Sequence, residues 1–158
     1  MSPRDDSIVW YFAYGSNMDP KRMQDRDVGY QGRYPAVLKN WRLAFNKAAC
    51  GKPGVGYANV VPMTSERVEG VLYRLPKESD LSRLDRFEGA PAHYKRHRIE
   101  VEKTDTGEKI KAFTYIAQPE RVQEGLKPLR EYMNHLLAGA DCLSESYLER
   151  LRQVETYD

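Results

Sequence analysis

Glu88 is the residue best suited to acid–base chemistry in this chain. It follows Leu84-Asp85-Arg86-Phe87 and precedes Gly89. Leu81, Leu84 and Phe87 recur every three positions, which predicts a short helix begun by Pro76-Lys77-Glu78-Ser79-Asp80, with Gly89 just past its end. Glu88 then closes the final turn. A carboxylate there meets the negative end of the helix dipole, so its proton is held more tightly. Shielding by Phe87, Tyr94 and a strand wall would act in the same direction. A general base working near neutrality needs such an upward shift. The plain alternative is a surface glutamate. Glu69, Glu78 and Glu100 fall in exposed patterns and carry no comparable argument.

A second candidate is a main-chain one. Val9 to Tyr14 is an apolar, strand-forming run that stops at Gly15-Ser16-Asn17. Asp19 can cap a following helix, and Pro20 suits its first position. A strand passing through glycine into a helix N-terminus gathers unpaired N–H groups, where a carboxylate or a developing oxyanion could sit. The same pattern also fits a buried first strand with a tight turn.

Other reactive side chains have weaker settings. Ser16 lacks the flanking glycines of a nucleophile elbow, and nothing in the sequence places His93, His97 or His135 beside it. A cap or a ligand hydrogen bond suits Ser16 better. His93 and His97 are four apart, a metal spacing only on a helix, and Tyr94-Lys95-Arg96 between them reads as strand. Cys50 and Cys142 form no CxxC pair, which predicts reduced thiols, a cytoplasmic location and no metal site. Tyr132 reads as core.

Around these candidates the chain predicts strands at Gly32–Leu38, Trp41–Phe45, Tyr57–Val61 (ended by Pro62), Arg67–Leu75, Lys95–Lys103 and Glu108–Ile116. Helices are expected over Pro20–Arg26, Pro128–Ala138 and, capped by Ser144, Glu145–Val154, with residues 1–7 a loose end. Strands come first and helices last, which argues for an α+β fold: a mixed sheet of about seven strands curling toward a small barrel. The 158 residues suit one domain. Net charge is +2, from 25 basic and 23 acidic residues. The basic ones are scattered, so nucleic acid is not an expected partner. No apolar run suits a signal peptide or a membrane span. Eleven tyrosines suit a pocket for a small polar ligand, and exposed aromatics would allow a homodimer.

Five stretches, in order, resemble the γ-glutamylcyclotransferase (AIG2-like) family. They are Tyr11-Phe12-Ala13-Tyr14-Gly15-Ser16-Asn17-Met18, Gly56 to Val60, Val68 to Tyr73, Leu84 to Gly89 with Tyr94, and Tyr132 to Ala140. The resemblance implies a mixed α+β barrel of six to seven strands with flanking helices. It implies a substrate site lined by Tyr11, Phe12, Ala13, Tyr14, Gly15, Ser16, Asn17 and Tyr132, with N–H donors at Tyr14, Gly15 and Ser16. Glu88 would be the catalytic acid/base, and no cofactor or metal would be needed. The substrate would be a small γ-glutamyl molecule, cyclised to 5-oxoproline. Asn17 and Ser16 make the chain most similar to the branch acting on γ-glutamyl amino acids. Gly51 to Gly56 lacks the bulkier residues of some members, which bears on the acceptor side. Two other readings keep the scaffold: biosynthetic removal of a γ-glutamyl protecting group from an amine-bearing metabolite, and a non-catalytic binding module.

Overall fold

Strand β1 (Val9–Ala13) is apolar on both faces because both are covered. Phe12, and Tyr14 just past the strand, pack among Ala36, Leu38, Val60 and Leu72. Tyr11 and Ala13 point the other way, into a cluster with Leu81, Leu84, Met133 and Leu136. The computed structural model describes residues 8–158, and the loose end expected at 1–7 lies outside the described residues.

After β1 comes helix α1 (Pro20–Asp25), capped by Asp19, whose Oδ1 accepts the Lys21 N–H at 3.0 Å. Strands β2 (Gly32–Ala48) and β3 (Gly56–Leu75) form one long antiparallel hairpin. This corrects the four shorter strands expected there. Pairing jumps from Lys39↔Arg67 to Trp41↔Pro62, so the extra residues of β3 bulge out. Asn40 and Ser65 take left-handed backbone angles there, and Asn40 Oδ1 accepts the Ser65 N–H at 3.2 Å. Pro62 does not end the strand, because at a bulge its missing N–H breaks no ladder bond.

Helix α2 (Glu78–Phe87) follows, then strands β4 (Tyr94–Lys103) and β5 (Lys109–Ala117), which pair antiparallel around the Asp105-Thr106-Gly107 turn. The strand order is β1-β3-β2-β4-β5, and a parallel contact between Tyr11 of β1 and Phe113 of β5 closes the barrel. The result is a mixed α+β barrel of five strands. The strand count falls below the expected six to seven because β2 and β3 each absorb two predicted pieces.

Helices α3 (Arg130–Leu137) and α4 (Glu145–Arg152) complete the described chain. Ser144 Oγ caps α4 by accepting the Tyr147 N–H. Met23, Leu81, Leu84, Met133, Leu136, Leu148 and Leu151, one face of each helix, share the cluster that covers the outside of β1 and β3. Among the described residues, no helix is long and apolar enough to cross a membrane.

Candidate active site

The chain leaves β1 at Ala13 and turns into a cavity. Tyr14, Gly15, Ser16 and Asn17 line it, with Tyr11, Glu88, Tyr94, Tyr115 and Tyr132. Ser16–Met18 makes a single 3-10 turn in which Met18 N–H donates to Gly15 O at 3.0 Å. The N–H groups of Gly15, Ser16 and Asn17 donate to no backbone carbonyl among the described contacts. A Cβ on Gly15 would lie 3.1 Å from the Tyr132 hydroxyl and 3.2 Å from the Ala58 Cβ, so the backbone can come this near only without a side chain. The Tyr132 hydroxyl accepts the Ala58 N–H at 3.1 Å and also faces the Ser16 N–H, which fixes α3 against the turn.

Glu88 reaches this turn from the end of α2. Its own N–H still bonds Leu84 O at 2.9 Å, and Gly89 takes a left-handed φ of 62° that lets the chain turn away. Glu88 Oε1 accepts from Asn17 Nδ2 at 3.0 Å and lies 3.4 Å from Arg26 Nη1. Asn17 is the hub: its Nδ2 also donates to the Tyr11 hydroxyl at 2.9 Å, and its Oδ1 accepts from Arg26 at 3.0 Å. The Tyr73 hydroxyl holds the Asn17 carbonyl at 2.6 Å.

Burial raises the Glu88 carboxyl above the ordinary carboxylate value, while Arg26, Arg22 and the Asn17 hydrogen bond oppose the rise. The side chain is 16% exposed, so water can still reach it. Burial also lifts Tyr11, Tyr14 and Tyr94 well above the usual phenol value, which keeps them neutral hydroxyls. Shielding does not come from Phe87, as expected, because that ring is 51% exposed. It sits at the helix end with the Arg26 guanidinium 4.9 Å from its centroid. The tyrosines exclude water instead.

Of the residues expected to line the site, Tyr11, Tyr14, Gly15, Ser16, Asn17 and Tyr132 line this cavity together with Glu88. Phe12 and Ala13 do not. Phe12 fills the strand-lined interior and Ala13 packs toward the helices, as alternation along β1 requires. Sequence reasoning missed Arg22 of α1, Arg26 just past its end, Ala58 and Tyr115. Arg22, Arg26 and Tyr115 fall in no sequence pattern that marks them, and Ala58 lies within the Gly56 to Val60 stretch without being singled out there. Ser16 Oγ has no histidine partner: His135 bonds Asp19 and Arg22, and His93 bonds Lys47. His93 precedes β4 and His97 lies in it. Among the described residues, no group of His, Cys, Asp and Glu is placed to hold a metal ion. Cys50 is exposed and Cys142 buried, both as free thiols.

Known proteins share this architecture. A crystal structure of a human protein superposes with a TM-score of 0.85 at 25% identity, covering 97% of this chain and 91% of that one. A gamma-glutamylcyclotransferase of Mus musculus is 30% identical over 152 residues, spanning 92% of this chain and 78% of the relative. The gamma-glutamyl cyclotransferase aclK of Aspergillus oryzae is 26% identical over 95% of this chain, which spans only 62% of that longer relative. The family model described as gamma-glutamyl cyclotransferase, AIG2-like, matches residues 11–134, well over half of the chain, and the chain belongs to that family.

Proposed function

We propose that this chain is a γ-glutamyl cyclotransferase that closes the γ-glutamyl unit of a small molecule to 5-oxoproline and releases the attached amine. The observation that carries the reading is the Glu88 carboxylate, shielded from most water and hydrogen-bonded to Asn17, in the same cavity as the N–H groups after β1 that donate to no backbone carbonyl. The α-amine of the substrate attacks its own γ-carbonyl. A carbon–nitrogen bond forms within the molecule, and the bond to the departing nitrogen breaks. Both partners belong to one molecule, so orientation supplies much of the rate; well-placed intramolecular reactions reach effective molarities of ~10⁵–10⁸ M.

The α-ammonium, with a pKa near ~8, must lose a proton before it attacks. Ionised Glu88 takes that proton and returns it to the leaving nitrogen. The N–H groups at Gly15 and Ser16 donate to the negative oxygens of the γ-glutamyl unit. Asn17 and Arg26 hold Glu88 in place, and the neutral tyrosines wall the unit from water. The route needs no nucleophilic serine or cysteine.

Glu88→Gln is expected to remain folded and to lower kcat by roughly 10²–10⁴-fold, read as 5-oxoproline released from γ-glutamyl-alanine. Undiminished release by that variant would refute the role. We also infer a reducing compartment from the two unpaired cysteines, and a small-molecule rather than nucleic-acid partner. Exposed Phe87 and Tyr157 keep a homodimer as a proposal that light scattering decides.

A further inference from the structure

Helix α3 turns two side chains toward the turn after β1. Tyr132 walls the cavity, and His135, three positions on, meets Asp19, which closes the 3-10 turn and caps α1. Asp19 divides its carboxylate between two partners. Oδ1 accepts the Lys21 N–H at 3.0 Å, and Oδ2 lies 2.9 Å from His135 Nδ1. The other ring nitrogen, Nε2, lies 3.2 Å from Arg22 Nη1. A guanidinium carries donors and no acceptor, so Arg22 donates and His135 Nε2 accepts. The ring proton therefore sits on Nδ1 and is donated to Asp19. Arg22 and Glu88 line one chamber of about 430 Å³ beside the tyrosine-walled cavity. Arg22 makes no other described side-chain hydrogen bond, and its Nε is buried without a partner. His135 is thus what keeps this long side chain turned inward. Arg26, Arg22 and Lys47 bear on the charge of Glu88, Arg86 lines the same chamber, and Arg22 also faces Asp19 and Tyr132.

We propose that His135 is a positioning residue for Glu88: its Nε2 lone pair holds the Arg22 guanidinium in the chamber, and Asp19 keeps that lone pair available by taking the Nδ1 proton. The proposal rests on the cyclotransferase reading, in which Glu88 must be ionised to take the substrate's proton. His135 lines neither the cavity nor the chamber and acts through Arg22. With Arg22 held, two cations oppose the burial of Glu88. With Arg22 released, one does, and more of the carboxyl stays protonated at a given pH. A plain tie between α3 and α1 would need only the Asp19 bond at Nδ1. The positioning role needs the acceptor at Nε2.

Three substitutions divide the two bonds of the ring. His135→Asn keeps an N–H near the Nδ1 position for Asp19 and has nothing at Nε2. His135→Gln reaches the Nε2 position with an acceptor for Arg22. Asp19→Asn keeps a helix cap but offers an N–H to His135 Nδ1, which moves the ring proton to Nε2 and turns a donor on Arg22. Losing the Asp19 charge by itself would ease ionisation of Glu88, the opposite sign. The readout is the acid limb of the kcat/KM–pH profile on γ-glutamyl-alanine. His135→Asn and Asp19→Asn are expected to move it to higher pH, lowering kcat/KM on that limb roughly 3–10-fold, with the loss shrinking toward the plateau. His135→Gln is expected to stay within about twofold of wild type throughout. Arg22→Gln should move the limb in the same direction, and adding His135→Asn to it should move it no further. An unmoved limb in His135→Asn, an equal move in His135→Gln, or an additive double variant would overturn the proposal. Asp19→Asn carries the comparison if His135→Asn does not fold. If γ-glutamyl-alanine yields no 5-oxoproline at any pH, the cyclotransferase reading falls. Carbon-13 NMR titration of the Glu88 carboxyl, assigned with Glu88→Gln, then decides the positioning role without turnover. A midpoint raised in His135→Asn and Asp19→Asn but not in His135→Gln upholds it, and equal midpoints refute it.

Discussion

At Glu88 two opposing forces meet. Burial raises its pKa, and two arginines with an asparagine amide pull it down, with burial ahead. Removing a cation should widen the imbalance. Arg26→Met is expected to move the acid limb of the kcat/KM–pH profile to higher pH, because more of the carboxyl stays protonated at a given pH. A limb that stays put or moves down would count against Glu88 as the titrating base. The same shift bears on stability. A carboxyl raised on folding binds its proton more tightly in the native state, so its contribution declines as pH climbs from the unfolded value of about 4.3 through the folded value. The melting temperature of Glu88→Gln relative to wild type should therefore improve across that window. A difference independent of pH would contradict the assigned direction.

Single elements hold the site through their ends more than their middles. The end of β1 supplies the amides, the end of α2 supplies Glu88, and α1 brings Arg22 from within the helix and Arg26 from just past its C-terminal end. At α4, Ser144 Oγ caps the helix and also bonds Glu69 Oε2 of β3 at 2.7 Å, while its N–H bonds the other carboxylate oxygen. Ser144→Ala removes the cap and one tie between helix and barrel. The expected loss is about 1–2 kcal/mol in urea unfolding, with kcat unchanged because no residue of α4 lines the cavity at Glu88. A fall in kcat at unchanged stability would mean that α4 reaches the site by a route not evident in its contacts.

Across the whole molecule, the far part of the β2–β3 hairpin has to fold back so that Lys47, Tyr57 and Ala58 face α2 and α3. Two buried asparagines secure it: Asn59 Nδ2 donates to Asn46 Oδ1 at 3.0 Å, and Asn59 Oδ1 accepts the Ala117 N–H of β5 at 2.9 Å. Asn59→Ala strands both partners without water. A loss of ~2–4 kcal/mol is expected from two orphaned buried groups, together with a raised KM as Ala58 shifts in the cavity wall. Unchanged stability in urea unfolding would show that water replaces the side chain.

Signals that act over a few residues were legible along the chain. The apolar run that stops at Gly15, the Asp19-Pro20 helix start, the helix end at Gly89, the Ser144 cap and the turn at Gly107 each depend on neighbours one to four positions away. Together they determined the α+β class, the curl toward a barrel, and the pairing of a glutamate with a glycine at a helix end. Longer-range facts did not show. Lys39-Asn40 and Pro62 read as strand breaks because their cost vanishes only when a partner strand bulges with them. Phe87 read as inward because a period of three cannot tell where a helix runs out of neighbours. Basic residues that looked scattered converge: Arg26 lies 62 positions from Glu88 and Lys47 lies 46 from His93. Caps, turns and periodicity are fixed by covalent proximity and backbone geometry, so the sequence states them. Which charged side chains come to face one another follows from barrel closure, which brings distant segments within hydrogen-bond reach only once every strand has its partner.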